Sequence, residues 1–175
     1  MWGSLRKGTA MATRQISIQR SIVTSVKPFD SVVAALNAAV GHPDMNEFAT
    51  KIADAKTYDE MERIIQPMLG KCGLMEFIHF DVGMVLARTK GPGAPKSLRL
   101  VIGNPLTMQA MVRHVPDAAS YAPVTVLIDE RPGGVQLSYD TMASLLAPYG
   151  NAEALRVARE LDDKVGQLIA EAAGS

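Results

Sequence analysis

One stretch limits the possible folds more than any other: Ser97-Leu-Arg-Leu-Val-Ile-Gly-Asn-Pro-Leu-Thr-Met-Gln-Ala-Met-Val-Arg-His114. In its first half Leu98, Leu100 and Ile102 share one face of an apolar strand. In its second half Leu106, Met108, Met111, Val112 and Val115 fall at helical spacing. Between the halves Gly103 ends the strand, Asn104 supplies an N-cap, and Pro105 suits the first helical position, where a missing N–H costs nothing. A buried strand that turns at once into a helix requires a sheet packed on helices.

The flanking sequence extends this pattern. Residues 14–26 alternate through Ile16, Ile18, Ile22 and Val26, which predicts a half-buried strand with a bulge near Arg20-Ser21. Asp30 is the expected cap of a helix that carries Val32, Val33, Leu36 and Val40 on one face and ends at Gly41-His42-Pro43. Asp44 with Glu47, and Thr57 with Glu60, have capping-box spacing and start two short helices. The first is expected to bury Met45, Phe48, Ala49 and Ile52, the second Met61, Ile64, Ile65, Met68 and Leu69, with Pro67 distorting its last turn. A strand is predicted over 75–82, and no period decides 83–88.

Val124, Val126 and Ile128 alternate into the turn Arg131-Pro-Gly-Gly134, and Val135, Leu137 and Tyr139 return, as in a hairpin. Asp140 is the expected cap of a short helix that Pro148 stops. Asn151 then caps the longest helix, striped by Leu155, Ala158, Leu161, Val165, Leu168, Ile169 and Ala172. Strands and helices are mostly segregated. The expected class is therefore α+β, an antiparallel sheet packed on helices, in one domain over residues 13–173. Residues 1–12 lack any period and are expected to be a disordered extension; Met11 is a second candidate start.

Composition narrows function by exclusion. Eighteen basic and eighteen acidic residues cancel, and aromatics make up 5% of the chain, which argues against nucleic-acid binding. No apolar run approaches the roughly 20 residues of a membrane-spanning helix. The single cysteine, Cys72, excludes an internal disulfide and fits a reducing compartment; with no apolar leader behind Met1, a soluble cytoplasmic protein is expected.

Few side chains invite chemistry. His79 and Asp81 are two apart on a strand, so they share a face, with Met75 and Phe77 beside them; such a pair can act as base and orienter or offer two metal ligands. No third ligand is identifiable. The Gly103-Asn104 turn places helix N–H groups where a small anion could sit, yet Pro105 removes one donor and Asn104 engages others. Tyr139 continues the Val135/Leu137 face, so its ring is expected in the core with the hydroxyl at a polar tip. His114 suits a helix C-terminus and His42 a turn. Cys72 lies between Lys71 and Gly73, where a cation favours the thiolate, but no histidine is near it in sequence. Met75, Met84, Met108, Met111 and Met142 fall on apolar stripes as core filler, so no copper or haem site is expected, and no cofactor motif is present.

Several of these segments together resemble the "domain of unknown function 302" family of small bacterial and archaeal proteins. They are Pro28-Phe29-Asp30, Phe80-Asp81-Val82, Gly103-Asn104-Pro105, the helix with Met108 and Met111, the Pro116 loop, Tyr121-Ala-Pro-Val-Thr-Val-Leu-Ile128 and Gly134-Val-Gln-Leu-Ser-Tyr-Asp140. The resemblance implies a β-α-β(4)-α layout similar to TATA-binding-protein-like or helix-grip folds, often as a homodimer, and implies no activity. Residues 43–72 depart from that pattern as a two-helix insertion.

The leading functional reading is a non-catalytic protein that binds a small ligand or serves as a scaffold. Its ligand, a small anion or an apolar molecule, would sit between the Asp81 strand, the Gly103-Asn104 turn and the Tyr139 strand end. One alternative is an enzyme using the His79/Asp81 pair. The other is a dimerisation or partner-interaction module acting through helices 43–72.

Overall fold

The computed structural model describes residues 12–174. Five strands form one sheet in the order β1-β5-β4-β3-β2, and every neighbouring pair is antiparallel. The strands are β1 (Arg20–Ser25), β2 (Met75–Asp81), β3 (Ser97–Gly103), β4 (Val124–Arg131) and β5 (Gly134–Asp140). Helices α1 (Phe29–Ala39), α2 (Met45–Asp54) and α3 (Tyr58–Ile65) lie between β1 and β2. Next come α4 (Val82–Lys90), α5 (Pro105–Val112), α6 (Met142–Leu146) and α7 (Ala152–Ala173). The class is α+β, as the segregated pattern predicts.

Register places the core. Leu98 pairs with Ile128 and Leu100 with Val126, while Val126 and Ile128 pair with Tyr139 and Leu137, so one sheet face is a continuous apolar layer. Against it pack Val32 and Leu36 of α1, Met111 of α5, Met142 and Leu146 of α6, and the expected stripe of α7, of which only Leu155 is less than fully buried. Asn151 caps α7 by accepting the Ala154 N–H at 2.9 Å. The opposite face carries Ile22, Ile78 and Phe80, each about half exposed.

Several local expectations need correction. The first strand begins at Arg20 rather than Arg14, because β5 ends at Asp140, directly opposite Arg20. Beyond that point Gln19 bonds instead to the start of α6: its N–H donates to Ser144 Oγ at 3.0 Å and its carbonyl accepts the Thr141 N–H at 2.9 Å. Pro28, not Asp30, is the N-cap of α1; Asp30 sits in the first turn, where a carboxylate is favoured by the helix dipole, and receives Lys96 Nζ at 2.6 Å. Residues 82–90 form α4, started by Asp81 and ended at Gly91 with φ of +81°. Met84 on that helix is 59% exposed and is not core, whereas Met75, Met111 and Met142 are fully buried.

Helices α2 and α3 start as their caps require. Asp44 accepts the Asn46 and Glu47 N–H groups at 2.8 and 2.9 Å, and Thr57 accepts that of Glu60 at 3.2 Å. The return bond of the second box goes one residue further, from the Lys56 N–H to Glu60 Oε2 at 2.7 Å. Pro67 converts the end of α3 into a 3₁₀ turn over Gln66–Met68. Contrary to the expected burial, no residue of α2 is fully buried and Ala49 is exposed; Phe48 and Ile52 line a cavity instead. The expected disorder of residues 1–12 falls, but for Ala12, outside the described residues. Among the described residues no helix is long and apolar enough to cross a membrane.

Candidate functional site

The turn from β3 into α5 forms one wall of a cavity of about 440 Å³. Gly103 is buried there for a steric reason. A Cβ at this position would lie 3.1 Å from Pro123 Cβ and 3.6 Å from Phe77 Cε2, so glycine lets the strand end pass beneath Pro123 without displacing it. Asn104 caps α5 through Oδ1, which accepts the Leu106 N–H at 2.9 Å, and its Nδ2 donates to the Gly73 carbonyl at 3.2 Å. The amide therefore ties the helix start to the loop before β2.

A bulge and two helices complete the enclosure. The register of β2 against β3 shifts between Glu76 and Ile78, which leaves Phe77 unpaired and lets it turn into the cavity. There it meets Phe48 of α2 edge-on, with ring centroids 6.2 Å apart and an interplanar angle of 85°. Ile52 and Met61 add the rest of the α2–α3 side, Met108, Gln109 and Met111 come from α5, and Val124 and Leu161 lie beneath. Among the described residues that line it, Asn104 and Gln109 alone carry polar side-chain atoms and none is ionisable. Both ends of Asn104 are engaged in the fold, so the exposed lining is almost wholly apolar. Such a space excludes charge and accommodates an apolar molecule.

Of the five residues singled out from the sequence, Gly103 and Asn104 line this cavity; His79, Asp81 and Tyr139 do not. His79 and Asp81 form no dyad. The carboxylate that meets His79 is Glu76, whose Oε2 is 3.2 Å from His79 Nδ1 and 3.8 Å from His42 Nδ1, while His42 Nε2 donates to the Asn37 carbonyl at 2.9 Å. Asp81 is occupied as the cap of α4, accepting the Met84 N–H at 2.8 Å. The bulge breaks the wider expected face: Met75 pairs with Gly103 on one side of the sheet, while His79 and Asp81, opposite Leu100 and Leu98, still share the other. Among the described residues no three His, Cys, Asp or Glu side chains are placed to hold a metal ion.

Tyr139 behaves as its alternation predicts, with a buried ring and a polar tip, but the partner is one the local sequence does not signal. Its hydroxyl donates to Asp162 Oδ1 of α7 at 2.6 Å. The same carboxylate accepts the Met142 and Ala143 N–H groups at 2.7 and 3.0 Å, so Asp162, not Asp140, caps α6. Burial first, and the adjacent Asp162 carboxylate second, push the Tyr139 phenol well above its ordinary range. Asp140 pairs with Arg20 through two bonds of 2.6 and 2.8 Å, and that guanidinium holds its carboxyl below the usual range. Cys72 is half-buried; desolvation raises its thiol and outweighs the nearby Lys164 and Lys71, which favours the protonated form.

The fold and cavity define an α+β protein whose single antiparallel sheet is backed by helices and holds an apolar pocket where β3 turns into α5. The sequence profile of Domain of unknown function DUF302 matches residues 48–172, and the chain belongs to that family. The match begins within α2, so α3 and every wall of the cavity lie in the matched span. The chain is similar in structure to an uncharacterized conserved protein DUF302 from Bacillus stearothermophilus, with a TM-score of 0.58 and 9% sequence identity over 86% of this chain and 94% of that one. No curated protein matches the chain in sequence.

Proposed function

We propose that this protein binds a small, uncharged, largely apolar molecule in the cavity between the Gly103-Asn104 turn, the Phe77 bulge and helices α2, α3 and α5. The observation that carries this reading is the lining: about 440 Å³ of space walled almost wholly by apolar surface, with no ionisable group among the described residues that line it. That volume falls in the range of roughly 300–1,000 Å³ typical of small-molecule pockets. An anion at the start of α5 has less support, because Pro105 offers no N–H and Asn104 already takes that of Leu106. Partner binding through α2 and α3 is also weakly supported: their apolar side chains Phe48, Ile52 and Met61 turn inward, and Tyr58 is the large apolar residue they expose. A reducing cytoplasmic setting suits a protein whose one cysteine is a half-buried thiol.

Thermal unfolding in the presence of indole, cyclohexanol and 1-octanol tests the reading. A ligand at 100 times its Kd raises the melting temperature of a chain this size by roughly 5–10 °C. Met108→Trp, which fills the cavity, is expected to abolish the shift while the protein stays folded. The reading fails if none of the three probes raises the melting temperature, or if the Met108→Trp protein responds as the parent does.

A further inference from the structure

The sheet face turned away from the core holds a second and chemically different hollow, a groove of about 370 Å³ crossing β1, β5, β4 and β3. Register lays out its floor: Arg99 of β3 stands opposite Leu127 of β4, which stands opposite Ser138 of β5. Alternation sends all three away from Leu98, Leu100 and Leu137, which belong to the core. Tyr121 and Leu145 add apolar walls at one end.

The charges in this groove do not balance. Arg20 and Asp140 neutralise each other through their two-bond pair, which leaves Arg99 as the excess positive group. Among the described residues Arg99 forms no ion pair. Its Nη2 donates a long hydrogen bond of 3.4 Å to Thr125 Oγ1, and among the described residues its other donors have no partner. Ser138 is only 8% exposed and opens into the same space, a polar side chain placed where an apolar residue would otherwise finish the floor.

We infer that this groove binds a small carboxylate monoanion with an apolar body. The carboxylate would take two parallel hydrogen bonds from the Arg99 guanidinium, with the Thr125 and Ser138 hydroxyls as further donors, while the body lies on Leu127 towards Tyr121 and Leu145. One unpaired guanidinium matches one negative charge. With Arg20 and Asp140 already paired, the groove offers no second cation to balance a dianion such as phosphate. The groove shares only Val124 with the cavity and asks for charge where the cavity excludes it, so the two readings stand or fall separately.

Amide-resolved NMR titration at constant ionic strength tests this with three probes: sodium benzoate, benzyl alcohol and inorganic phosphate. Benzoate is expected to give saturable shifts at Arg99, Leu127 and Ser138, benzyl alcohol to leave those amides unmoved, and phosphate to bind at least about tenfold more weakly. Arg99→Gln is expected to weaken benzoate by at least about tenfold, and Ser138→Ala by about threefold, with unchanged melting for the exposed Arg99 site. The inference is overturned if Arg99→Gln keeps the parent affinity, if phosphate binds as tightly as benzoate, or if benzoate shifts only cavity amides such as Phe77 and Met108. It is also overturned if sedimentation shows a dimer that Arg99→Gln dissociates, since a second copy would then own the groove.

Discussion

The hydroxyl of Tyr139, at the end of β5, lies 2.6 Å from Asp162 Oδ1, at the middle of α7. One carboxylate thereby satisfies a buried phenol and the two N–H groups that open α6, and locks the last strand, the short helix after it and the longest helix into one unit. Asp162→Ala leaves the phenol and both N–H groups without that partner. The expected cost is about 2–4 kcal/mol, the sum of an unsatisfied buried hydroxyl and a lost cap. Tyr139→Phe removes the hydroxyl alone and is expected to cost about 1 kcal/mol. Urea unfolding of both variants checks the order; equal losses would mean the cap contributes nothing.

The same pair carries an alkaline pH dependence. The folded phenol is raised above the ordinary 10.0, so its contribution is complete below pH 10 and is lost as pH rises towards the folded value. Ultraviolet titration is expected to show Tyr139 silent through pH 11, so that Tyr139→Phe and the parent give the same phenolate amplitude up to that point. A smaller amplitude for the variant below pH 11 would show the phenol ionising freely.

At the acid end Asp140 contributes a dependence of the opposite sign. Its carboxyl is held below the ordinary 3.8 by Arg20, so the stabilisation is present above about pH 4 and disappears as pH falls through the lower folded value. The pair is partly exposed, 61% on the arginine and 35% on the aspartate, so solvent screens most of its attraction. Arg20→Gln is expected to be slightly less stable than the parent at pH 7, with the gap narrowing as pH falls through the folded carboxyl value and the Asp140 carboxyl resonance titrating at higher pH. A stability gap that does not narrow on acidification would assign the loss to packing instead of charge.

Phe48 and Phe77 carry the contact between α2 and the bulge of β2. Because α2 buries no residue completely, this edge-to-face pair is a main tie between that helix and the sheet. A double-mutant cycle with Phe48→Leu and Phe77→Leu is expected to give a coupling of about 0.5–1.5 kcal/mol. Phe48→Leu should also speed amide exchange along α2 while leaving α7 unchanged. A coupling within error of zero would mean that α2 is held by other contacts.

What the sequence discloses depends on how far away the deciding partner lies. Asn104 and Pro105 act on their own helix, the hairpin alternates at period two, and α7 writes its stripe at period 3.6, so each is legible locally. The α+β class and the family follow from their order. Asp162 is different: its three partners lie 19 to 23 residues earlier, and nothing around Leu161 or Asp163 distinguishes it from a solvent-facing aspartate. The bulge at Phe77 is likewise set by pairing with β3. It turned an apparent Met75–Phe77–His79–Asp81 face into three separate environments. The cavity was half visible, since the stripes of α2 and α3 are plain, but the space they enclose against Gly103 depends on how two helices dock.

Gly103 offers the sharpest local test of that docking. An alanine Cβ there would lie 3.1 Å from Pro123 Cβ and 3.3 Å from Pro123 Cα, tight enough that β4's entry or the strand end must shift. Overpacking of this kind costs about 1–3 kcal/mol, which lowers the melting temperature by roughly 2–10 °C. Gly93, whose added Cβ would meet nothing within 4 Å, is the internal control: Gly93→Ala is expected to change stability by less than about 0.5 kcal/mol. Calorimetry on the two variants separates the steric demand at the strand-to-helix turn from the general entropic effect of replacing glycine. If both melt alike, Pro123 yields to the added methyl and the turn does not depend on glycine.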